Sequence, residues 1–125
     1  MNYDMLFLVG RILFGGFFVV MGMNHLLKLD DMSKYTASKK VPIPMVATII
    51  TGLLLLMGGL GIIFWVYVRL SAWALIIFLV PTAFKMHDFW AAKDSQEKMT
   101  QMVNFMKNLA FAGAALIIIS LVSFV

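Results

Sequence analysis

Apolar positions fall into four long runs, at about residues 4–24, 45–64, 68–84 and 104–125, and polar segments separate them. Each run approaches the roughly 20 residues that a helix needs to cross the hydrocarbon core of a bilayer. None shows the strict alternation of a membrane β-strand, which leaves helices as the spanning elements. The pattern therefore predicts an all-α integral membrane protein, a four-transmembrane-helix bundle that forms one domain over residues 1–125.

The two long polar connections, residues 25–44 and 85–103, carry most of the basic side chains. These are Lys28, Lys34, Lys39, Lys40, Lys85, Lys93 and Lys98. Because basic residues accumulate in cytoplasmic loops, we expect both connections in the cytoplasm and both termini outside a cell membrane. Within the connections, the prolines predict extended backbone at 41–44, and apolar residues at helical spacing predict a surface helix over 94–106.

Composition supports the membrane assignment and narrows the chemistry. Hydrophobic residues make up 62% of the 125 residues and the mean hydropathy is +0.96, more than a water-soluble domain of this size can bury. The chain has no cysteine, which excludes disulfides and thiolate metal sites within it. The net charge of +4 lies mainly in the connections, and we interpret it as contact with anionic lipid rather than nucleic acid.

Asp4 and the lack of a basic start predict that the first run is not a cleaved signal peptide.

Arg11 lies about two helical turns inside the first run. Ionisable residues at such depth usually face the interior of a bundle or a wet cavity. Two interpretations stay open: the side chain extends to the outer headgroups, or it serves an interior polar or ligand-binding role with Asp4, one heptad earlier, within reach. Glycines on the first two runs predict close helix approach in preference to a cofactor channel.

The two histidines, His25 and His87, follow the first and third runs and should share one depth at the cytoplasmic side. Asn24, Lys85 and Asp88 lie beside them. Such a cluster is suited to binding a quinone headgroup or to transferring protons. Ligation of a b-type haem by the two histidines is a less favoured alternative. The alternative is that both rings merely lie in the headgroup zone. Lys107 and Asn108, at the start of the fourth run, are expected to anchor the helix at the interface and to hydrogen-bond between helices, respectively.

Four short motifs together resemble the DoxX family. The first is Gly10-Arg11 with Phe18 and Gly22, and Gly58-Gly59 follows in the second run. The others are His87-Asp88-Phe89-Trp90 and Lys107-Asn108-Leu109-Ala110. The resemblance implies a four-helix membrane protein with a redox association, and it carries over Arg11, His87, Trp90, Lys107 and Asn108 by position. Where the family has a lysine near the end of the first helix, this chain has His25.

Two functions of different classes follow. The leading one is a redox-associated membrane subunit that contacts a quinone or lipid-like ligand in a respiratory or oxidative-stress context. The other is a non-catalytic accessory subunit of a larger membrane complex. The expected partners are the lipid bilayer and either other membrane subunits or further copies of the chain. The candidate ligand-binding residues are Arg11, Asn24, His25, Lys85, His87, Asp88, Trp90, Lys107 and Asn108.

Overall fold

A computed structural model describes residues 2–125. This part of the chain folds into five α-helices and contains no strand. The helices are α1 (Tyr3–Leu27), α2 (Leu29–Ser38), α3 (Pro44–Phe64), α4 (Val68–Met86) and α5 (Ser95–Leu121), and a 3-10 turn, Phe89–Ala91, lies between the last two.

Four of the helices, α1, α3, α4 and α5, are long and apolar enough to cross a membrane. Many of their large apolar side chains are exposed, such as Leu13, Ile77 and Ile117. In water this surface would be costly, whereas in a bilayer it contacts acyl chains. The predicted class, an all-α four-helix integral membrane protein, is confirmed.

The long helices pack as an open row. Helix α1 packs on α3, α3 on α4, and α4 on α5. The two ends of the row, α1 and α5, meet through aromatic rings: Phe17 and Phe18 of α1 contact Phe111 of α5 edge to face, with centroids 5.2 and 5.8 Å apart. We call this line of contact the α1/α5 seam.

Glycines bring α1 and α3 into backbone contact. A Cβ atom added at Gly59 would lie 2.6 Å from the carbonyl oxygen of Gly15 and 2.8 Å from the amide nitrogen of Val19. A Cβ at Gly22 would lie 2.8 Å from the carbonyl oxygen of Gly52. The close packing predicted from these glycines is therefore present.

Arg69 fastens the carboxyl end of α5 to the start of α4. Its guanidinium Nη1 donates hydrogen bonds to the carbonyl oxygens of Ile119 and Val122, at 3.0 and 2.9 Å. The backbone N–H of Arg69 also donates to the carbonyl of Val125 at 2.7 Å. The last carbonyls of a helix have no intrahelical donor, so the guanidinium replaces it.

The polar connections contain more helix than the sequence pattern predicts. Residues 29–38 form α2, and α5 begins at Ser95, whereas the predicted span begins at 104. The predicted surface helix over 94–106 is instead the first part of the continuous α5, whose N-cap is the Asp94 side chain. The prediction of extended backbone before α3 is wrong at Ile43, which is left-handed at φ 46°. That conformation also avoids the right-handed helical region, which Pro44 disfavours for its predecessor.

The glycine contact gives the first testable prediction. Gly59→Ala places a methyl group against the backbone of α1 and should destabilise the bundle by about 1–3 kcal/mol, as overpacked cores do. The measurement is the apparent melting temperature in detergent, followed by size-exclusion chromatography after heating.

Gly16→Ala is the matched control, because a Cβ there meets nothing within 4 Å. It should leave the melting temperature unchanged or raise it slightly, since alanine favours a helix over glycine. Equal effects of the two substitutions would contradict the close α1–α3 contact.

Candidate functional site

A cavity of about 390 Å³ lies at the histidine end of the bundle. All five helices contribute to its walls. The lining side chains are Met21 and His25 of α1; Met32, Tyr35 and Thr36 of α2; Val41; Ala47 and Thr51 of α3; Phe78, Pro81, Thr82, Lys85 and Met86 of α4; His87; and Asn104, Lys107 and Asn108 of α5. The cavity is partly open, and its walls combine seven apolar side chains with ten polar or basic ones.

His25 is held with one ring nitrogen free. It occupies the buried face of α1 that also carries Gly22. Its Nδ1 lies 2.9 Å from the carbonyl oxygen of Met21. A carbonyl only accepts, so in this contact Nδ1 carries the proton and Nε2 of the neutral ring remains as an acceptor. The ring also meets Phe78 of α4 edge to face, with centroids 5.9 Å apart.

His87 reaches the same protonation pattern through a chain of hydrogen bonds. The Tyr35 hydroxyl donates to the Met86 carbonyl oxygen at 3.1 Å, and it accepts from Nε2 of Gln101 at 3.2 Å. The amide oxygen of Gln101 therefore faces Nδ1 of His87, 2.8 Å away. That nitrogen must donate, which leaves Nε2 of the neutral ring as the free acceptor.

Polar contacts hold α2 across the end of the cavity. Besides the Tyr35 hydroxyl, Oγ1 of Thr36 lies 3.2 Å from Oγ1 of Thr48 in α3. Just beyond α2, Nζ of Lys39 pairs with a carboxylate oxygen of Asp88 at 2.6 Å. The hydrogen bond that the Lys39 ammonium donates to Asp88 raises the pKa of Lys39 above its ordinary value, so this link persists through the neutral range.

Helix α5 supplies the polar groups on the opposite wall. Asn108 is buried, with 7% of its surface exposed. Lys107, one residue earlier, extends across the α1/α5 seam, and its Nζ lies 5.6 Å from the centroid of the Phe17 ring. The ammonium therefore lies over an aromatic face of the neighbouring helix.

Arg11 lies far from this cavity. It precedes His25 by 14 residues on the same helix, which corresponds to about 21 Å along the axis. Its guanidinium carbon lies 4.9 Å from the centroid of the Phe7 ring. Its Nε is buried and has no hydrogen-bond partner among residues 2–125. Asp4 forms no ion pair with it, since the one ion pair in this part of the chain joins Lys39 and Asp88.

Of the nine predicted site residues, five line the cavity and four do not. His25, Lys85, His87, Lys107 and Asn108 line the cavity. The other four lie outside its lining. Asn24 is exposed and Asp88 belongs to the ion pair with Lys39, while Trp90 is 55% exposed and packs against Phe89 and Phe105. Arg11, as described, is at a different level of the bundle.

Several polar residues around the cavity were not among the predicted site residues. They are Tyr35, Thr36, Thr51, Gln101 and Asn104, of which all but Gln101 line it. The first two lie on α2, a helix that hydropathy alone did not separate from its loop. The available signal was the three-residue spacing of Leu29, Met32 and Tyr35, which suits a short amphipathic helix.

Comparison with known proteins gives the chain a family context. The family model for DoxX matches residues 6–88. A relative is the inner membrane protein YphA of Escherichia coli (strain K12), which is 29% identical over 113 residues that cover 90% of this chain and 80% of YphA. No solved structure matches the chain.

The hydrogen-bond chain through Tyr35 gives a second prediction. Tyr35→Phe removes the hydroxyl that links α2 to α4 and α5, so amide hydrogen exchange over 29–38 should accelerate by up to about a hundredfold, as expected for the loss of two hydrogen bonds. Exchange in α3 should stay unchanged. The measurement is hydrogen–deuterium exchange mass spectrometry in lipid nanodiscs.

Ser38→Ala is the control, because the Ser38 hydroxyl donates only within the α2 region, to the carbonyl of Tyr35. Its effect should be confined to the last turn of α2. If both variants accelerate exchange over the whole helix equally, the hydroxyl of Tyr35 does not hold α2 in place.

Proposed function

Because this chain belongs to the DoxX family, we propose that it is a redox-associated membrane subunit that holds a quinone or lipid-like molecule in the cavity between His25 and His87. The membrane location in this proposal rests on the fold, because four helices able to span a membrane make the chain a multi-pass integral protein in contact with lipid. We place it in the cell membrane, in keeping with its inner-membrane relative.

The observation that carries the proposal is the character of the cavity. Its volume of about 390 Å³ lies in the range of small-molecule sites, which are typically about 300–1,000 Å³ and largely apolar with a few polar groups. The α1/α5 seam borders it, and Lys107 belongs to both. A hydrophobic molecule dissolved in the bilayer can enter through such a seam without crossing water.

The polar groups suit a ring that changes its hydrogen-bonding role on reduction. Lys85, Lys107 and Asn108 offer N–H donors, which the carbonyl oxygens of a quinone accept. His25 and His87 each retain an unprotonated Nε2, which accepts a hydrogen bond from the hydroxyl of a quinol. Both redox forms therefore find complementary partners on the same walls.

An accessory role in a larger membrane complex is the second candidate. The exposed apolar faces of α1 and α5 are available to neighbouring subunits or to another copy of the chain as well as to lipid. Purification from native membranes in mild detergent distinguishes the roles. Stoichiometric co-migration with larger subunits would favour the accessory role, and a small particle that retains quinone would favour ligand binding by the chain itself.

Filling the cavity gives the third prediction. Ala47→Phe introduces a ring into the wall formed by α3 and should weaken binding of a short-chain ubiquinone analogue or a phospholipid by at least about tenfold, because the ligand and the ring compete for one volume. Binding is measured by native mass spectrometry of the purified protein over a titration of each probe.

Ala110→Phe is the matched control, since Ala110 is exposed on α5 outside the cavity lining. It should leave the affinities unchanged. If Ala47→Phe folds and binds every probe as well as the unsubstituted chain, the cavity is not the ligand site and the proposed function fails.

A further inference from the structure

We propose that the preferred occupant of this cavity is a phospholipid with a net negative headgroup, with the headgroup among the cavity lysines and one acyl chain along the α1/α5 seam. This inference rests on the proposed function and narrows its ligand class. The lining includes Lys85 and Lys107 together with His25 and His87, and it includes no aspartate or glutamate.

The acidic side chain nearest in sequence to the cavity residue His87 already forms an ion pair. Asp88 follows His87 directly, but its carboxylate pairs with Lys39 at 2.6 Å. Among residues 2–125 this is the one ion pair, so neither cavity lysine is neutralised by the protein. The cavity is therefore electropositive, and an oxyanion is the group it would stabilise most.

Lys107 is the cation that most requires an anion. It lies 12 residues after the start of α5 and 14 before its end, about 18 and 21 Å along the axis respectively. Its Nζ lies over Phe17, which is about 15 Å from the cytoplasmic end of α1. An ammonium at such a level is costly in lipid without a partner. The ring face stabilises it on one side only, and its three N–H donors remain available.

A second depression, lined only by apolar residues, lies along the seam beside Phe17. It has a volume of about 340 Å³ and is lined by Gly10, Leu13, Phe14, Phe17, Phe18 and Phe111. Phe17 thus lies under the Lys107 ammonium and also forms a wall of the depression. The two cavities share no lining residue, but Lys107 of the first lies against Phe17 of the second, and a charged pocket beside an aromatic groove fits a molecule with an anionic head and a hydrocarbon chain.

Charge complementarity selects among phospholipids. A zwitterionic headgroup brings a quaternary or primary ammonium with its phosphate, and no cavity carboxylate is present to receive it. A headgroup such as phosphatidylglycerol brings only the phosphate charge and hydroxyls. Anionic lipids are also the lipids that basic cytoplasmic segments attract, so the same leaflet supplies the ligand and faces the cavity in the predicted orientation.

The test compares phosphatidylglycerol with phosphatidylcholine of identical acyl chains by native mass spectrometry of the purified full chain. Phosphatidylglycerol should bind at least about tenfold more tightly, as expected for a hydrogen-bonded charged contact. Lys107→Met should bring the two affinities close together, and Lys107→Arg should keep most of the preference. Lys98→Met, an exposed position of α5 outside the cavity lining, should retain it.

Several results would overturn the inference. One is equal affinity for the two lipids in the unsubstituted chain. Another is an equal loss of the preference for phosphatidylglycerol in the Lys98→Met and Lys107→Met variants, which would indicate a general attraction of the lipid to the basic surface. Tighter binding of oleate or of the ubiquinone analogue than of phosphatidylglycerol would assign the cavity to another ligand. In each case a loss of ligand binding in the Ala47→Phe variant would still support the proposed function. Ligand binding that Ala47→Phe leaves unaffected would contradict both the lipid inference and the proposed function.

Discussion

The backbone contact between α1 and α3 is the constraint on which the rest of the structure depends. Glycines on both helices let the main chains approach, and no side chain stands between Gly15 and Gly59. The same contact positions the site, because a Cβ at Gly52 would lie only 2.8 Å from the Cβ of His25. Helix α1 thereby turns the His25 ring toward α4, where it meets Phe78.

The tight pairing on one side of α1 leaves its other side loosely packed. Against α5 it presents phenylalanine rings in place of glycines, and rings separate helices where glycines join them. The row of helices therefore closes imperfectly, which produces the seam and the cavity beside it. Helix α2 completes the enclosure through hydrogen bonds and one ion pair rather than through apolar packing, and such partly exposed polar contacts open more readily than a packed core.

Sequence reasoning recovered the parts of the fold that depend on local pattern. Four apolar runs predicted the spanning helices, and the glycines predicted close packing. It also singled out His25 and His87, because two histidines after alternate helices must lie at one end of an up-and-down bundle. Their shared cavity agrees with that geometric argument.

The parts it missed depend on contacts between distant segments. The Tyr35 hydroxyl meets Gln101, 66 positions away, and no periodicity within either segment indicates the pair. For Arg11, the position in the first run indicates its depth but not its neighbours; the structure shows no ion pair with Asp4 among residues 2–125 and leaves Arg11 out of the cavity lining. The apolar spacing over 94–106 predicted a helix there, but not that this helix is continuous with the spanning one, because the polar first turns of α5 look like a separate surface element.

The long helices carry five lysines and arginines, and three of them, Arg69, Arg11 and Lys107, show how differently a buried or membrane-level cation can be stabilised. Arg69 satisfies its guanidinium with the carbonyls of Ile119 and Val122, so its charge completes a helix end. Arg11 lies over the Phe7 ring at the other end of α1, where the outer headgroups are near in the predicted orientation. Lys107 has only the Phe17 ring, about 15 Å along α1 from the end of that helix at Leu27. An aromatic face does not use the hydrogen-bonding capacity of an ammonium, and the cavity beside it contains no acid. Of the three, Lys107 is therefore the cation that a bound anion would stabilise most, and its place between the cavity and the seam determines where that anion would lie.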